Sequence, residues 1–217
     1  MKSQQSFWRL GNIGCALLLL AGALYAAGGL TRYDAQPESK LRIDGTSTIH
    51  DWSIEGNIIG GFLEADENFA KDPGVAAKVK PKVEVTIPVR SIKSDKKAMD
   101  NVMYEAMKQK ENPQIKYRLK EMTLKGKPAS AEGPFLFDTK GELTVSGVTR
   151  TNDMVVTMEK LAGNKLKFSS TNTLKMTDFG IKPPAPALAL GMIKTADDVK
   201  VSFSWVTAQA SGEAKSQ

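Results

Sequence analysis

Apolar and polar residues alternate with a period of two along much of this 217-residue chain, which restricts it to a fold built mainly from β-strands. The clearest examples are residues 82–89, KVEVTIPV, and residues 199–205, VKVSFSW. Because successive side chains of a strand point to opposite faces, each segment has one apolar and one polar face. This pattern is typical of antiparallel sheet with one buried side.

Eight such segments predict eight strands, near residues 40–48, 51–63, 81–90, 114–124, 134–146, 152–160, 164–176 and 198–207. The turn residues at 162–164 are expected to close a hairpin, and a change of phase between Leu119 and Met122 suggests a bulge. Eight antiparallel strands suit a closed barrel, since closure removes exposed edges. The pattern by itself leaves a two-sheet sandwich open as the alternative.

One segment, near residues 95–110, has the periodicity of a helix instead. Ser94 or Asp95 is expected to cap it, and Pro113 to end it. One face of this predicted helix carries Met99, Val102, Met103, Ala106 and Met107. That face is either ordinary core or a flexible, methionine-rich surface that packs over a barrel end and adapts to a ligand.

The N-terminal segment has the composition of an export signal. Lys2 and Arg9 precede an apolar run from Ile13 to Ala27, which ends in small residues. A cleaved signal peptide is the main interpretation, and an uncleaved membrane anchor is the alternative. The chain is therefore divided into a signal peptide, a linker, one barrel domain and a flexible tail, at residues 1–28, 29–39, 40–207 and 208–217.

The composition argues against metal, thiol and nucleic-acid chemistry. Cys15 is the only cysteine and lies inside the apolar run, so the exported chain would have neither disulfide nor thiol. His50 is the only histidine, and a lone histidine does not build a transition-metal site. The 30 basic and 24 acidic residues are dispersed, unlike a nucleic-acid-binding surface. We expect no metal, no cofactor and no nucleic-acid partner.

The neighbourhood of His50 contains the residue types of a hydrolase triad, Ser47 and Asp51, but not the arrangement. On a strand, adjacent side chains point to opposite faces, so Asp51 could not orient the ring of His50. The chain also contains no Gly-x-Ser-x-Gly sequence. We therefore predict no catalytic residue and do not expect an enzyme.

Four motifs occur in order along the chain: Leu41–Trp52 (LRIDGTSTIHDW), Ile87–Asp100 (IPVRSIKSDKKAMD), Gly141–Arg150 (GELTVSGVTR) and Met176–Pro184 (MTDFGIKPP). As a set, at these spacings, they resemble the YceI-like family of secreted proteins, over about residues 40–207. The resemblance implies an all-β fold, an eight-stranded antiparallel lipocalin-like barrel with one main α-helix. It also implies binding of polyisoprenoid or other amphiphilic lipids, and it implies no catalytic role for any residue.

Six residues are predicted to contact a ligand: His50, Trp52, Phe168, Leu188, Val201 and Phe203. His50 and Trp52 are expected to share one strand face. His50 is either hydrogen-bonded inside the sheet or placed at the barrel mouth, and Trp52 is either core or a platform for the ligand. Leu188 lies in a proline-rich apolar segment, residues 182–190, which either packs under the barrel rim or covers the tunnel.

The expected function is that of an exported lipid-binding protein, periplasmic or secreted. It would hold a long-chain isoprenoid or other amphiphile in a barrel tunnel without catalysis. The alternative is a stress-related envelope barrel with a filled interior, acting as a structural or partner-binding module. A homodimer and transient contact with a membrane surface are both left open. Interior volume separates the two functions, because only a ligand carrier needs an open tunnel.

Overall fold

The computed structural model describes residues 29–73, 80–126, 130, 133–185 and 193–210. The predicted signal peptide, residues 211–217 of the predicted tail and Leu188 lie outside these residues. The strands are β1 (Leu30–Ala35), β2 (Lys40–Ser47), β3 (Trp52–Gly56), β4 (Gly60–Asp66), β5 (Lys82–Pro88), β6 (Ile92–Lys93), β7 (Gln114–Leu124), β8 (Phe135–Val145), β9 (Val148–Leu161), β10 (Lys165–Lys175) and β11 (Thr195–Gln209). The helices are α1 (Lys97–Ala106) and short 3₁₀ helices at Val89–Ser91 and Met176–Phe179.

Eight of these strands form a closed antiparallel ring in the order β1-β4-β5-β7-β8-β9-β10-β11. Pairing of β1 with β11 closes the ring. The long strand β11 also pairs with β2, and β3 and β6 extend the sheet from there. The prediction of an all-β, eight-stranded antiparallel barrel with one main helix is confirmed.

The closing strand β1 lies in the segment predicted to be a linker, and that prediction is wrong for residues 30–35. Tyr33 pairs with Leu63 of β4 and with Gln209 of β11, and its side chain is buried. Ser39, also buried, donates to the carbonyl oxygen of Gln36 at 2.8 Å and holds the bend between β1 and β2. The alternation in β1 is too short and too polar to indicate a strand. Its pairing partners, β4 and β11, lie far along the chain, and a local pattern does not reveal them.

Two hairpins follow from residues with positive φ. Ser146 and Gly147, at φ 50° and 79°, turn β8 into β9 with the two-residue geometry that matches strand twist. The predicted hairpin at residues 162–164 is confirmed between β9 and β10. The predicted bulge is also confirmed, since the register of β7 against β8 shifts between Leu119 and Glu121.

Helix α1 is shorter than the predicted span of residues 95–110 and begins without the predicted cap. Lys96 occupies the cap position and makes no side-chain capping bond. Ser94 instead donates its backbone N–H and its hydroxyl to Oδ1 of Asp100, at 2.6 and 2.7 Å. Lys108 then adopts a left-handed conformation, φ 51°, which ends the helical course. Within the described part of the chain, no helix is long and apolar enough to cross a membrane.

The barrel end at which β1 begins is filled by side chains, and we call this packed end the floor. The Phe168 and Trp205 rings lie 5.7 Å apart, and the Phe69 and Phe137 rings lie 6.1 Å apart. The other buried residues of the floor include Tyr33, Leu63, Phe135, Met158 and Leu166. This packing supports the rest of the barrel, where the interior is open.

Candidate functional site

Above the floor, the barrel encloses a cavity of about 830 Å³, which we call the tunnel. Its volume lies in the range of roughly 300–1,000 Å³ that is common for small-molecule sites. The inward residues of the alternating strands supply its wall, among them Leu41, Ile43, Ile54, Val83, Val85, Ile87, Leu143, Val145, Met154, Val201 and Phe203. The tunnel is therefore a direct product of the period-two pattern, with the apolar face of each strand turned inward.

Two inward glycines leave space for aromatic rings that line the tunnel. A Cβ atom on Gly45 would lie 2.1 Å from the Trp52 ring, and one on Gly141 would lie 2.4 Å from the Tyr117 ring. Trp52 also donates its indole N–H to the carbonyl oxygen of Thr46 at 3.2 Å. Both rings thus lie flat against a strand, so they line the cavity without filling it. Burial raises the pKa of the Tyr117 hydroxyl.

The polar end of the tunnel, which we call the mouth, is formed by Ser47, His50, Asp51, Ser94, Asp95, Lys96, Lys175 and Thr195. His50 lies here in the loop between β2 and β3, so the expectation that it sits on a strand face with Trp52 is wrong. Its Nδ1 atom is 2.7 Å from the carbonyl oxygen of Asp51. The Ser47 hydroxyl donates to the carbonyl oxygen of His50 at 2.7 Å and ties the loop together.

Five of the six predicted ligand contacts surround this one cavity. Trp52, Phe168, Val201 and Phe203 line its wall or floor, and His50 lies at its mouth. Leu188 is outside the described residues. Their contact with a ligand stays a prediction.

Helix α1 covers part of the tunnel with its apolar face. Met99, Val102, Met103 and Ala106 line the cavity, and none of the helical residues is fully buried. The arrangement matches the interpretation in which this face packs over a barrel opening. Flexible thioether side chains at such a position can adjust to ligands of different shape.

Sequence reasoning missed a group of polar residues on the tunnel wall: Tyr117, Thr139, Asn152 and Asn172. Each lies an even number of residues from an apolar wall residue of its own strand, and therefore on the same face; we call this the parity of the residue. Tyr117 lies two residues from Ile115, and Asn172 lies two residues from Leu174. That parity is the signal that could have identified them. Polar residues at inward positions of an apolar strand are exceptions that need a structural reason.

Two carboxylates beside the mouth, those of Asp197 and Asp198, are paired with neighbouring groups. Asp197 accepts hydrogen bonds from the Thr177 hydroxyl at 2.6 Å and the Thr177 backbone N–H at 2.9 Å, which lower the pKa of its carboxyl group. Asp198 lies 3.1 Å from the Lys175 ammonium group and raises the pKa of that lysine. These contacts attach the 3₁₀ helix at Met176–Phe179 and the end of β10 to β11.

Replacing Thr177 by valine is expected to raise the pKa of Asp197, because the hydroxyl donor is lost while the backbone donor remains. Since folding lowers this pKa, the interaction stabilises the fold above the unfolded value of about 3.9 and disappears as the pH falls through the folded value. NMR titration of the Asp197 carboxyl carbon measures the change. Thr173→Val, at an exposed position of β10, is the control, and an unchanged pKa in Thr177→Val would contradict the assignment.

Metal binding has no visible support in the described residues, where no group of three or more histidine, cysteine, aspartate or glutamate side chains is placed to hold an ion. The tunnel wall offers apolar contact and hydrogen bonds. The mouth adds a few charged and polar groups. This arrangement can hold an amphiphile whose tail is apolar and whose head is polar.

Three solved structures share the fold at low sequence identity. BcnA of Burkholderia cenocepacia is 18% identical, with a TM-score of 0.58, covering 78% of this chain and 96% of that chain. A polyisoprenoid binding domain from Saccharophagus degradans, implicated in plant cell wall breakdown, is 11% identical, with a TM-score of 0.61 and coverage of 84% and 100%. The YCEI protein of Campylobacter jejuni is 19% identical, with a TM-score of 0.52 and coverage of 73% and 84%.

Sequence comparison gives the same grouping. A UPF0312 protein of Pseudomonas putida strain GB-1 is 28% identical over 180 residues, which cover 78% of this chain and 87% of the relative. The sequence profile of the YceI-like domain matches residues 36–207, from the bend after β1 into β11. With most of the barrel inside that match and the four motifs in their expected order, this chain belongs to the YceI-like family.

Proposed function

We propose that this protein is an exported lipid-binding protein that holds a long-chain amphiphile of the polyisoprenoid type in its tunnel and leaves it chemically unchanged. The observation that carries the proposal is the cavity of about 830 Å³ with an apolar wall. A structural module would not need an open interior, and unfilled apolar volume reduces stability. The open interior therefore favours ligand binding over the alternative of a filled envelope barrel.

The apolar wall supplies enough free energy for binding without any charged anchor in the barrel. Burying fifteen methylene-sized groups contributes on the order of 12 kcal/mol before costs. Lost motion and ordering on association offset part of this gain. No bond has to be formed or broken for such a ligand to be retained, so the function does not require a catalytic residue.

Two further observations support the ligand class and its orientation. A polyisoprenoid binding domain from S. degradans has the same fold, with a TM-score of 0.61. The polar groups of the mouth, such as His50 and Lys96, lie at one end of an otherwise apolar tunnel. We infer that the isoprenoid tail occupies the tunnel and that the head group lies at the mouth.

Export is supported by the first residues of the chain. Lys2 and Arg9 precede the apolar run Ile13–Ala27, as basic residues do in signal peptides. No cysteine follows Cys15, so the barrel can persist in an oxidising compartment without thiol chemistry. We place the protein in the periplasm or outside the cell.

Native mass spectrometry of protein purified from its own host tests the proposal. We expect a mature chain that begins near residues 28–30 and carries one long-chain lipid per barrel. Organic extraction should recover that lipid intact, because the tunnel only holds it. A chain that retains Met1 would contradict cleavage of a signal peptide. Recovery of no lipid, and failure to bind any added chain, would leave the structural alternative.

A further inference from the structure

Strands β9 and β10 lose their backbone pairing part of the way along the barrel wall. Strands β9 and β10 pair from Leu161 and Lys165 only as far as Thr157 and Ser169. Beyond that point β9 remains paired with β8, and β10 remains paired with β11. We call the gap between residues 148–156 and 170–175 the β9–β10 seam. Both strands are described along their whole length, so the loss of pairing is a feature of the wall.

Side chains bridge the seam in place of a backbone ladder. The Ser170 hydroxyl donates to the carbonyl oxygen of Val155 at 2.7 Å. The Asn172 amide N–H group donates to Oδ1 of Asn152 at 2.9 Å and lies 3.4 Å from the carbonyl oxygen of Asp153. These contacts close the wall, and they place two amide groups in a wall that is otherwise mostly apolar.

The wall at the seam is only one side chain thick. A second hollow, of about 570 Å³, lies on the outer side, and it shares Thr139, Met154 and Asn172 with the tunnel. Thr139 is already engaged, since its hydroxyl donates to the carbonyl oxygen of Met154 at 3.0 Å. On this side of the tunnel a ligand therefore meets the amide pair and the Tyr117 hydroxyl as the polar groups of the wall.

The amide pair has hydrogen-bonding capacity beyond its mutual bond. A primary amide offers two N–H donors and an oxygen with two lone pairs. The Asn172 donors are directed at Oδ1 of Asn152, at 2.9 Å, and at the Asp153 carbonyl oxygen, at 3.4 Å, so the remaining capacity lies in the Asn172 oxygen and in the Asn152 amide. The Asn152 amide N–H otherwise contacts the weakly accepting Met154 sulfur at 3.7 Å. A purely hydrocarbon ligand would strip water from these groups without replacing its hydrogen bonds, which opposes binding.

We propose that Asn152 and Asn172 form a hydrogen-bonding subsite in the side wall of the tunnel. The subsite takes an uncharged oxygen group, a hydroxyl or a carbonyl, carried along the chain of the ligand. An anionic group is disfavoured, because neither amide carries a positive charge that would offset the removal of an anion from water. This inference rests on the proposed function, since it concerns the same tunnel, and it specifies a polar group within the ligand.

Binding of positional isomers of hydroxyoctadecanoic acid tests the subsite. All isomers have the same apolar area and lose the same hydroxyl hydration, so only the position of the hydroxyl differs. We expect one or two adjacent positions to bind roughly tenfold more tightly than the others, because one hydrogen bond is gained there. Dissociation constants are measured on lipid-free protein by competition with a fluorescent fatty acid. The matching oxooctadecanoic acids show whether a carbonyl is accepted as well as a hydroxyl.

The double variant Asn152→Leu, Asn172→Leu should lose the positional preference and bind octadecanoic acid more tightly than the original protein does. Val201→Leu alters the wall at the residue paired with Asn172 but keeps both amides, so its affinities should shift together and the preference should remain. If the double variant does not fold, Asn172→Ala removes the amide that bridges the seam without adding volume, and the positional preference should again be lost.

Three results would overturn the inference, and the third would also contradict the proposed function. Equal affinities for all isomers in the original protein would show that no wall position recognises the oxygen, although binding of octadecanoic acid would still support the proposed function. A positional preference that survives in the folded double variant would place the recognition elsewhere. Absence of binding by every chain, octadecanoic acid included, would contradict the proposed function and the subsite together.

Discussion

Replacing Val201 by aspartate is expected to weaken the binding of any long-chain ligand by about a hundredfold or more, because the effective cost of removing a charge from water is several kcal/mol. Val201 lies on the inward face of β11 and lines the tunnel. With the tunnel free of ligand, water can hydrate the new carboxylate. An apolar chain would displace that water and provide no partner for the charge, so the cost falls on binding and much less on folding.

The matched control is Ser202→Asp, the next residue on the same strand with its side chain on the outer face. It adds the same charge to the same strand and should leave lipid binding unchanged. Circular dichroism and thermal unfolding establish that both variants are folded, and lipid retention after purification gives the binding result. Full retention of lipid by folded Val201→Asp would show that the ligand does not occupy this tunnel.

Replacing Gly61 by alanine is expected to lower the free energy of unfolding by about 4 kcal/mol, since backbone strain and a steric clash add together. Gly61 has a φ of 129°, and its Cβ atom would lie 2.1 Å from the Glu84 carbonyl oxygen. That oxygen belongs to the backbone of the neighbouring strand β5 and cannot rotate away. For a domain of this size the loss corresponds to a fall in Tm of about 8–16 °C.

Two other glycines separate the causes. Gly126 has a φ of 128° with no atom within 4 Å of its Cβ position, so Gly126→Ala introduces the strain without the clash and should cost about 1–3 kcal/mol. Gly60→Ala introduces only an ordinary contact, 3.5 Å from the Thr86 carbonyl oxygen, and should be tolerated. Thermal unfolding of the three variants gives the ranking. A smaller effect for Gly61→Ala than for Gly126→Ala would contradict the packing of β4 against β5.

The alternation of apolar and polar residues was sufficient to predict most strands and the inward residues of the tunnel. Phe168, Val201 and Phe203 were assigned to the interior from parity alone, and all three line the cavity. Parity is a local property, because neighbouring side chains in any strand must point to opposite faces. The prediction of the hairpin at residues 162–164 also rested on local information, since the turn residues determine the backbone conformation.

The loop that contains His50 shows where local reasoning failed. The segment alternates well enough to suggest a continuous strand, but the chain leaves β2 after Ser47 and re-enters the sheet at Trp52. The Ser47 hydroxyl stabilises that turn through His50, a contact that strand parity does not anticipate. His50 therefore lies at the mouth because it belongs to the loop. Trp52, which was predicted to share a strand face with it, lines the tunnel from the first position of β3.

By itself, the sequence determined most of the strand segments and which of their faces is apolar, and its four motifs indicated a barrel. The tertiary structure alone decided that Leu30–Ala35 closes the barrel, that the interior stays open above the floor, and that β9 and β10 separate at the seam. Alternation is imposed by the geometry of single strands. Closure, cavity volume and strand separation depend on pairing and packing between residues that are distant in the chain, which local patterns do not encode.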